Sequence, residues 1–107
     1  MTQIVVAMCS CPDEAVAQQL ASDLVRLRLA ACVNIVPKIR SIYRWRNEVQ
    51  DEGEALMIMK TTRVAYAELQ LWLQQNHPYD VPEVLALPVQ AGSADYLDWV
   101  LNETEMR

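Results

Sequence analysis

Glycine is scarce. Gly53 and Gly92 are the chain's two, so its turns fall to proline and asparagine. Histidine is scarcer still: His77 stands alone, which excludes a His-rich metal cage within one chain and leaves any cysteine nucleophile a single imidazole as base. Positive charge is in the minority. Nine Lys and Arg face fourteen Asp and Glu, a net charge of -5, which argues against a nucleic-acid partner because that affinity comes mainly from cationic contacts with phosphates. No uncharged apolar run reaches the roughly 18 residues of a membrane span. Met1-Thr2-Gln3, followed by six apolar residues, lacks the positive segment of a secretory signal. With three cysteines, an odd count, this points to a reducing compartment without a disulfide framework. Repeats, low-complexity segments and linkers are absent from the sequence.

What is present is globular. Apolar residues make up 52% and charged residues 21% of 107 positions, enough for one core and one domain over residues 1–107. Gln3 to Cys9 is a short β-branched run that reads as a buried central strand. Ser10 can cap a helix whose first turn holds Pro12, Asp13 and Glu14 and whose apolar stripe is Val16, Leu20, Leu24 and Leu27, ending near Leu29. Ala31 to Arg46 reads as a long strand. Val33, Ile35, Ile39, Tyr43 and Trp45 share one parity, with Asn34, Lys38, Arg40, Arg44 and Arg46 on the other. Pro37 cannot donate to a ladder, so a bend or bulge is expected there. Arg46-Asn47-Glu48 turns the chain, and Val49 to Thr61 returns, ending in the buried run Ala55 to Met59. A helix over Val64 to Asn76 turns Ala65, Leu69, Trp72 and Leu73 inward. A stiff loop at His77 to Pro82, a strand over Glu83 to Val89 and a short helix from Gly92-Ser93 to about Asn102 follow. The order β-α-β-β-α-β predicts an α+β, ferredoxin-like sandwich. Its antiparallel sheet has the first and third strands central and both main helices on one face.

The long hairpin carries a further implication. A globule of this size has a radius of gyration of roughly 13 Å, whereas sixteen extended residues span about 50 Å at ~3.3 Å each. The outer ribbon bears Ile42, Tyr43 and Trp45, apolar side chains that a lone two-stranded ribbon covers poorly. Either the hairpin folds back at Pro37 over its own sheet, or each ribbon lies on a neighbour in a closed oligomer, which also buries the sheet face the helices leave bare. The oligomer is the expected solution.

Five blocks match a known family: AACVNIVP (Ala30 to Pro37), SIYRW (Ser41 to Trp45), MKTT (Met59 to Thr62), HPYDVPEVLALPV (His77 to Val89) and DYLDWV (Asp95 to Val100). The chain resembles the CutA divalent-cation-tolerance proteins over essentially its whole length. The resemblance implies a ferredoxin-like subunit, a homotrimer with interlocked hairpins, a cytoplasmic role in divalent-metal tolerance with copper or another divalent transition metal bound, and no secure catalytic residues. The motif positions suggested as copper ligands are a cysteine after the first strand, matched by Cys9, and a His pair, whose second member is His77 and whose first is replaced by Asn76. The glycine common in the hairpin turn is Asn47 here.

Two constellations stand out among the residues themselves. Cys9 and Cys11 lie two apart, on one side of an extended chain, and thiolate with imidazole suits copper or zinc. His77, with Cys11 or Asp80 as a further donor, could complete a site. Cys9 as a small buried hydrophobe and His77 as a hydrogen-bonded loop residue are the alternatives. Cys32, inside an apolar strand, reads as core. The second constellation is a possible cleft of Lys60, Tyr43, Trp45, Tyr79 and Glu83, with Glu83 as partner for the Lys60 ammonium and room for a small anion at a subunit boundary. Trp72 and Trp99 read as packing residues. Enzymatic function is not expected. The small phosphatases of this fold want an arginine in a glycine-rich anion loop, and Cys9-Ser10-Cys11-Pro12 has neither. The expected partners are sister subunits and a divalent metal, with neither nucleic acid nor membrane. A trimeric signalling or scaffold module resembling the PII proteins, with metal incidental, is the alternative.

Overall fold

The computed structural model describes residues 2–105. The elements are β1 (Ile4–Cys11), α1 (Glu14–Arg26), β2 (Cys32–Trp45), β3 (Glu48–Thr62), α2 (Arg63–Asn76), β4 (Leu85–Pro88) and α3 (Ala94–Glu103). The four strands form one sheet in the order β2-β3-β1-β4, and every neighbouring pair is antiparallel. This is the expected ferredoxin-like arrangement with β1 and β3 in the middle.

Among the boundaries that differ from the sequence reading, three have a clear physical reason. Ser10 does not cap α1: β1 runs on to Cys11, and Asp13 is the cap, its Oδ1 accepting the Val16 N–H at 2.8 Å. A carboxylate also complements the helix dipole, so Asp13 outcompetes the hydroxyl three residues earlier. Replacing Asp13 by alanine is expected to cost about 1 kcal/mol of stability in denaturant unfolding, with no change in assembly. At the far end, Arg28 takes the left-handed conformation (φ 62°) that glycine would supply elsewhere. Second, β4 is shorter than Glu83 to Val89, because the proline loop holds Glu83 and Val84 off the ladder and the pairing with β1 starts at Leu85 opposite Met8. Third, α2 begins at Arg63, capped by Thr62, whose hydroxyl accepts the Ala65 N–H at 3.1 Å.

The two faces of the sheet have different fates. Ala7, Cys9 and Cys11 of β1 and Ala55, Met57 and Met59 of β3 point to the helices. There they pack with Leu20 and Leu24 of α1 and Leu69 and Leu73 of α2. This is the period-2 and period-3.6 patterning that one-sided burial demands. Trp72 packs against the same core. Trp99 does not. It is 43% exposed beside Tyr96 at the surface of α3, whose Val100 does the packing. On the opposite face Val6, Met8, Leu56 and Ile58 are half-buried, and Leu85 and Leu87 are exposed. Cys32 belongs to this face rather than the core: it lies opposite Lys60 across the ladder, with its thiol toward Asn34.

Pro37 marks the β-bulge that was expected. The register slips by one residue between Val36, paired with Leu56, and Ile39, paired with Glu54. The slip reverses side-chain parity. Val33 and Ile35 pack on the helical core, but Ile39, Tyr43 and Trp45, of the same sequence parity, continue the open face instead. The ribbon then closes through Arg46 and Asn47, both left-handed (φ 51° and 67°), the pair a two-residue type I′ turn requires. Bidentate pairing of Arg40 with Asp51 at 2.7 and 2.8 Å ties the two ribbon strands on its other side.

The hairpin does not fold back over its own sheet. The molecule measures 44 × 26 × 22 Å with a radius of gyration of 14.3 Å, above the roughly 13 Å of a compact globule this long. Ile42 and Val49 on the projecting part are 67% and 65% exposed.

Candidate metal centre and the adjoining cleft

Strand β1 places Cys9 and Cys11 on the helical face at its carboxyl end, and the end of α2 brings His77 to them. His77 is the C-cap of that helix, its N–H bonded to the Leu73 carbonyl at 2.8 Å. One ligand atom from each of Cys9, Cys11 and His77 lies within 4.8 Å of the others, and all three residues are buried. Two zinc–thiolate bonds end to end measure about 4.6 Å, so a small contraction would bring the set onto one ion. The donor chemistry, two sulfurs and an imidazole, fits a soft or borderline metal such as copper or zinc.

The resting hydrogen bonds are equally definite. Nδ1 of His77 accepts the Tyr79 N–H at 3.0 Å, so Nε2 carries the proton and donates to the Ser10 carbonyl at 2.8 Å. Both ring nitrogens are thereby committed, and coordination through either requires surrendering at least one backbone hydrogen bond. The sulfurs are held less firmly: Cys9 Sγ makes a long contact to the Ser10 carbonyl at 3.6 Å and shares a hydrogen bond with Cys11. A hydrogen bond shared with Cys11, then burial, push the Cys9 thiol up, and the carboxylates of Glu83 and Glu54 add to the shift. The same shared bond draws Cys11 down. The pair thus holds a proton on Cys9 and leaves Cys11 the better nucleophile and ligand. Asn76, at the position of the missing histidine, bonds its side chain back to the Trp72 carbonyl at 2.8 Å and is exposed. Asp80 lies on the cleft described next, outside the Cys-Cys-His group.

A cleft of about 800 Å³ separates the ribbon from the loop that follows His77. Tyr43, Trp45, Tyr79 and Glu83 line it, as the sequence reading gathered them. Lys60 is not among them. It sits on the open sheet face opposite Val6 and Cys32 and donates to the Asn34 side chain. It stands six residues along β3 from Glu54, about 20 Å of strand. The Lys60–Glu83 pair is therefore not made within the subunit, and the cleft lacks the cation that suggested an anion site. In its place come Glu52 and Glu54, which the sequence reading did not single out. The signal was there: carboxylates two apart on a strand face the same way. Tyr79 donates to Glu54 Oε2 at 2.7 Å, and Tyr43 donates to Glu52. The bond to Glu52, with burial, pushes the Tyr43 hydroxyl up to about 12. Burial and the bond to Glu54 also push Tyr79 up.

The family model described as CutA1 divalent ion tolerance protein matches residues 5–103. The chain belongs to the CutA1 family. Among its CutA relatives, the divalent-cation tolerance protein CutA of Thermus thermophilus is 48% identical over 99 residues, 92% of this chain and 96% of that one. The mouse protein CutA is 44% identical over 92% of this chain but 56% of its own length, so the chain spans about half of the animal relative. Solved CutA1 structures superpose closely. That from Oryza sativa has a TM-score of 0.95 at 40% identity, covering 99% of this chain and 97% of its own. The Thermus thermophilus structure has a TM-score of 0.92 at 46% identity, covering 95% and 99%. CutA relatives carry different compartment names, one from Arabidopsis thaliana being called chloroplastic and one from Archaeoglobus fulgidus periplasmic. No helix among the described residues is long and apolar enough to cross a membrane.

Proposed function

We propose that the protein serves divalent-cation tolerance as a homotrimer that binds copper through the two thiols and the imidazole at the end of β1. The convergence of Cys9, Cys11 and His77 within 4.8 Å carries this reading. Cys9 and Cys11 supply the soft donors, and His77 is the third, weaker donor because its nitrogens already serve the backbone. Assembly is supported by the projecting ribbon, which exposes Ile42, Tyr43, Trp45 and Val49, and by the face opposite the helices, which exposes Leu85 and Leu87, apolar surface of the kind that a sister copy covers. Three free thiols, two of them buried, suit a reducing cytoplasm. The protein acts without catalysis on this reading. Its lone imidazole is held by two backbone groups and is not poised as a base. The test is an anaerobic Cu(I) titration against a competing chelator. Stoichiometric binding, lost in Cys9→Ser and Cys11→Ser, is the expected result, and retention in both variants rejects the site.

The alternative, a trimeric signalling or scaffold module with metal incidental, is favoured by a different observation: the cleft beside the ribbon is open and built, whereas the thiols are closed off.

A further inference from the structure

A soft ion held by Cys9 and Cys11 needs a third donor, and His77 is a costly one because both its ring nitrogens serve the backbone. The neighbouring strand brings another. In the β1–β3 ladder Met57 stands directly opposite Cys9, and Ala55 directly opposite Cys11. Residues that face each other across an antiparallel ladder share a face, with Cβ atoms roughly 5 Å apart. Met57 therefore points with the two cysteines toward the helices, and it is fully buried in the same core cluster. Its unbranched, three-bond side chain adapts to what lies beside it. Cys11 is its diagonal neighbour, within reach of a long side chain. A thioether donates no hydrogen bond and accepts only weakly, so coordination asks Met57 to give up little, where His77 must give up a backbone bond. It also carries no proton to displace. Thiolate and thioether together suit Cu(I), whereas zinc's protein donors are thiolate, imidazole and carboxylate.

We propose that the Met57 thioether is the third sulfur donor of the metal centre and the residue that makes it selective for Cu(I) over zinc. The inference rests on the copper reading and moves His77 to a supporting position, where its ring ties the loop after α2 to the end of β1. Met59 is the built-in control. It is as buried as Met57, on the same face of the same strand, but it stands opposite Ala7, further from Cys11.

The experiment is an anaerobic titration of the full chain with Cu(I) and, separately, Zn(II), each against a competing chelator, in the wild-type protein, Met57→Leu and Met59→Leu. Leucine for methionine conserves volume and apolarity, so both variants keep the core. Met57→Leu is expected to weaken Cu(I) binding about tenfold or more, the loss that even an indirect partner of a metal ligand causes. It should leave the Zn(II) titration unchanged. Met59→Leu is expected to match the wild type with both ions. A second measurement reads the bond directly. In selenomethionine-substituted protein loaded with Cu(I), X-ray absorption at the selenium edge is expected to show a copper neighbour, which Met57→Leu removes. Stoichiometric Cu(I) binding of equal strength in wild type and Met57→Leu, or a selenium spectrum without copper, overturns the role of Met57 and leaves the thiol site standing. Equal weakening by Met57→Leu and Met59→Leu, or a loss shared by both ions, also overturns it, because that is core damage rather than a lost donor. Wild-type protein that takes up no Cu(I) rejects the copper reading itself, and this inference with it.

Discussion

Leu87→Glu is expected to turn the assembled protein into folded single copies. Leu87 sits on edge strand β4, opposite Val6, and is 51% exposed in the isolated subunit. A glutamate there costs the single chain little, because its head can reach water. In an assembly that covers the open face, the same change buries a charge without a partner. It also forfeits the burial of the exposed half of Leu87, about 1 kcal/mol per copy, and the charge penalty adds several kcal/mol more. A closed trimer feels this at three equivalent places. The expected outcome is dissociation at micromolar concentration with helical and strand content unchanged. Val64→Glu is the control. Val64 is 84% exposed on α2, away from the open face, and its replacement should leave assembly intact. Dissociation by both, or by neither, would contradict the assignment of the open face as the contact surface.

The second large effect concerns copper. Cys9→Ser and Cys11→Ser should each weaken Cu(I) binding by at least roughly a hundredfold, since a hydroxyl is a poor donor to a soft ion. His77→Ala should weaken it far less. It should lower stability more, because the ring ties Tyr79 and Ser10 together. The pH dependence has a definite sign. Cys9 is held protonated by the bond with Cys11 and by burial, and the metal requires thiolate. Binding therefore releases protons. Apparent affinity rises with pH by about tenfold per unit for each proton displaced, throughout the range below the raised Cys9 value. A flat profile between pH 6 and 8 would mean that Cys9 stays protonated in the complex and is not a ligand.

The sequence made much of this architecture legible, for identifiable reasons. The alternation in β1 and β3 and the helical stripe of Leu20 and Leu24 each have a period that survives without knowledge of partners. Pro37 announced the bulge because a residue without an N–H has few places in a ladder. The consequence of that bulge was not readable. Val33 and Trp45 have the same parity in sequence, and the one-residue slip that sends them to opposite faces is a property of pairing with β3. Cys32 was misplaced for a related reason: an apolar neighbourhood does not say which side of a strand meets the helices. Lys60 was read as needing a carboxylate, yet an amide oxygen on the adjacent strand supplies its acceptor. The Cys9, Cys11 and His77 convergence could be suspected from the C-x-C spacing. The commitment of both imidazole nitrogens could not, because it depends on a carbonyl at Ser10, far from His77 in the chain.

Everything about the open face, the ribbon and the shared surroundings of the cleft depends on how many copies associate. Size-exclusion chromatography with in-line light scattering, at micromolar concentration in reducing buffer, decides it. A homotrimer gives a single species of about 37 kDa, three times the 12.2 kDa chain, unchanged on dilution. A folded, monodisperse species near 12 kDa would contradict it.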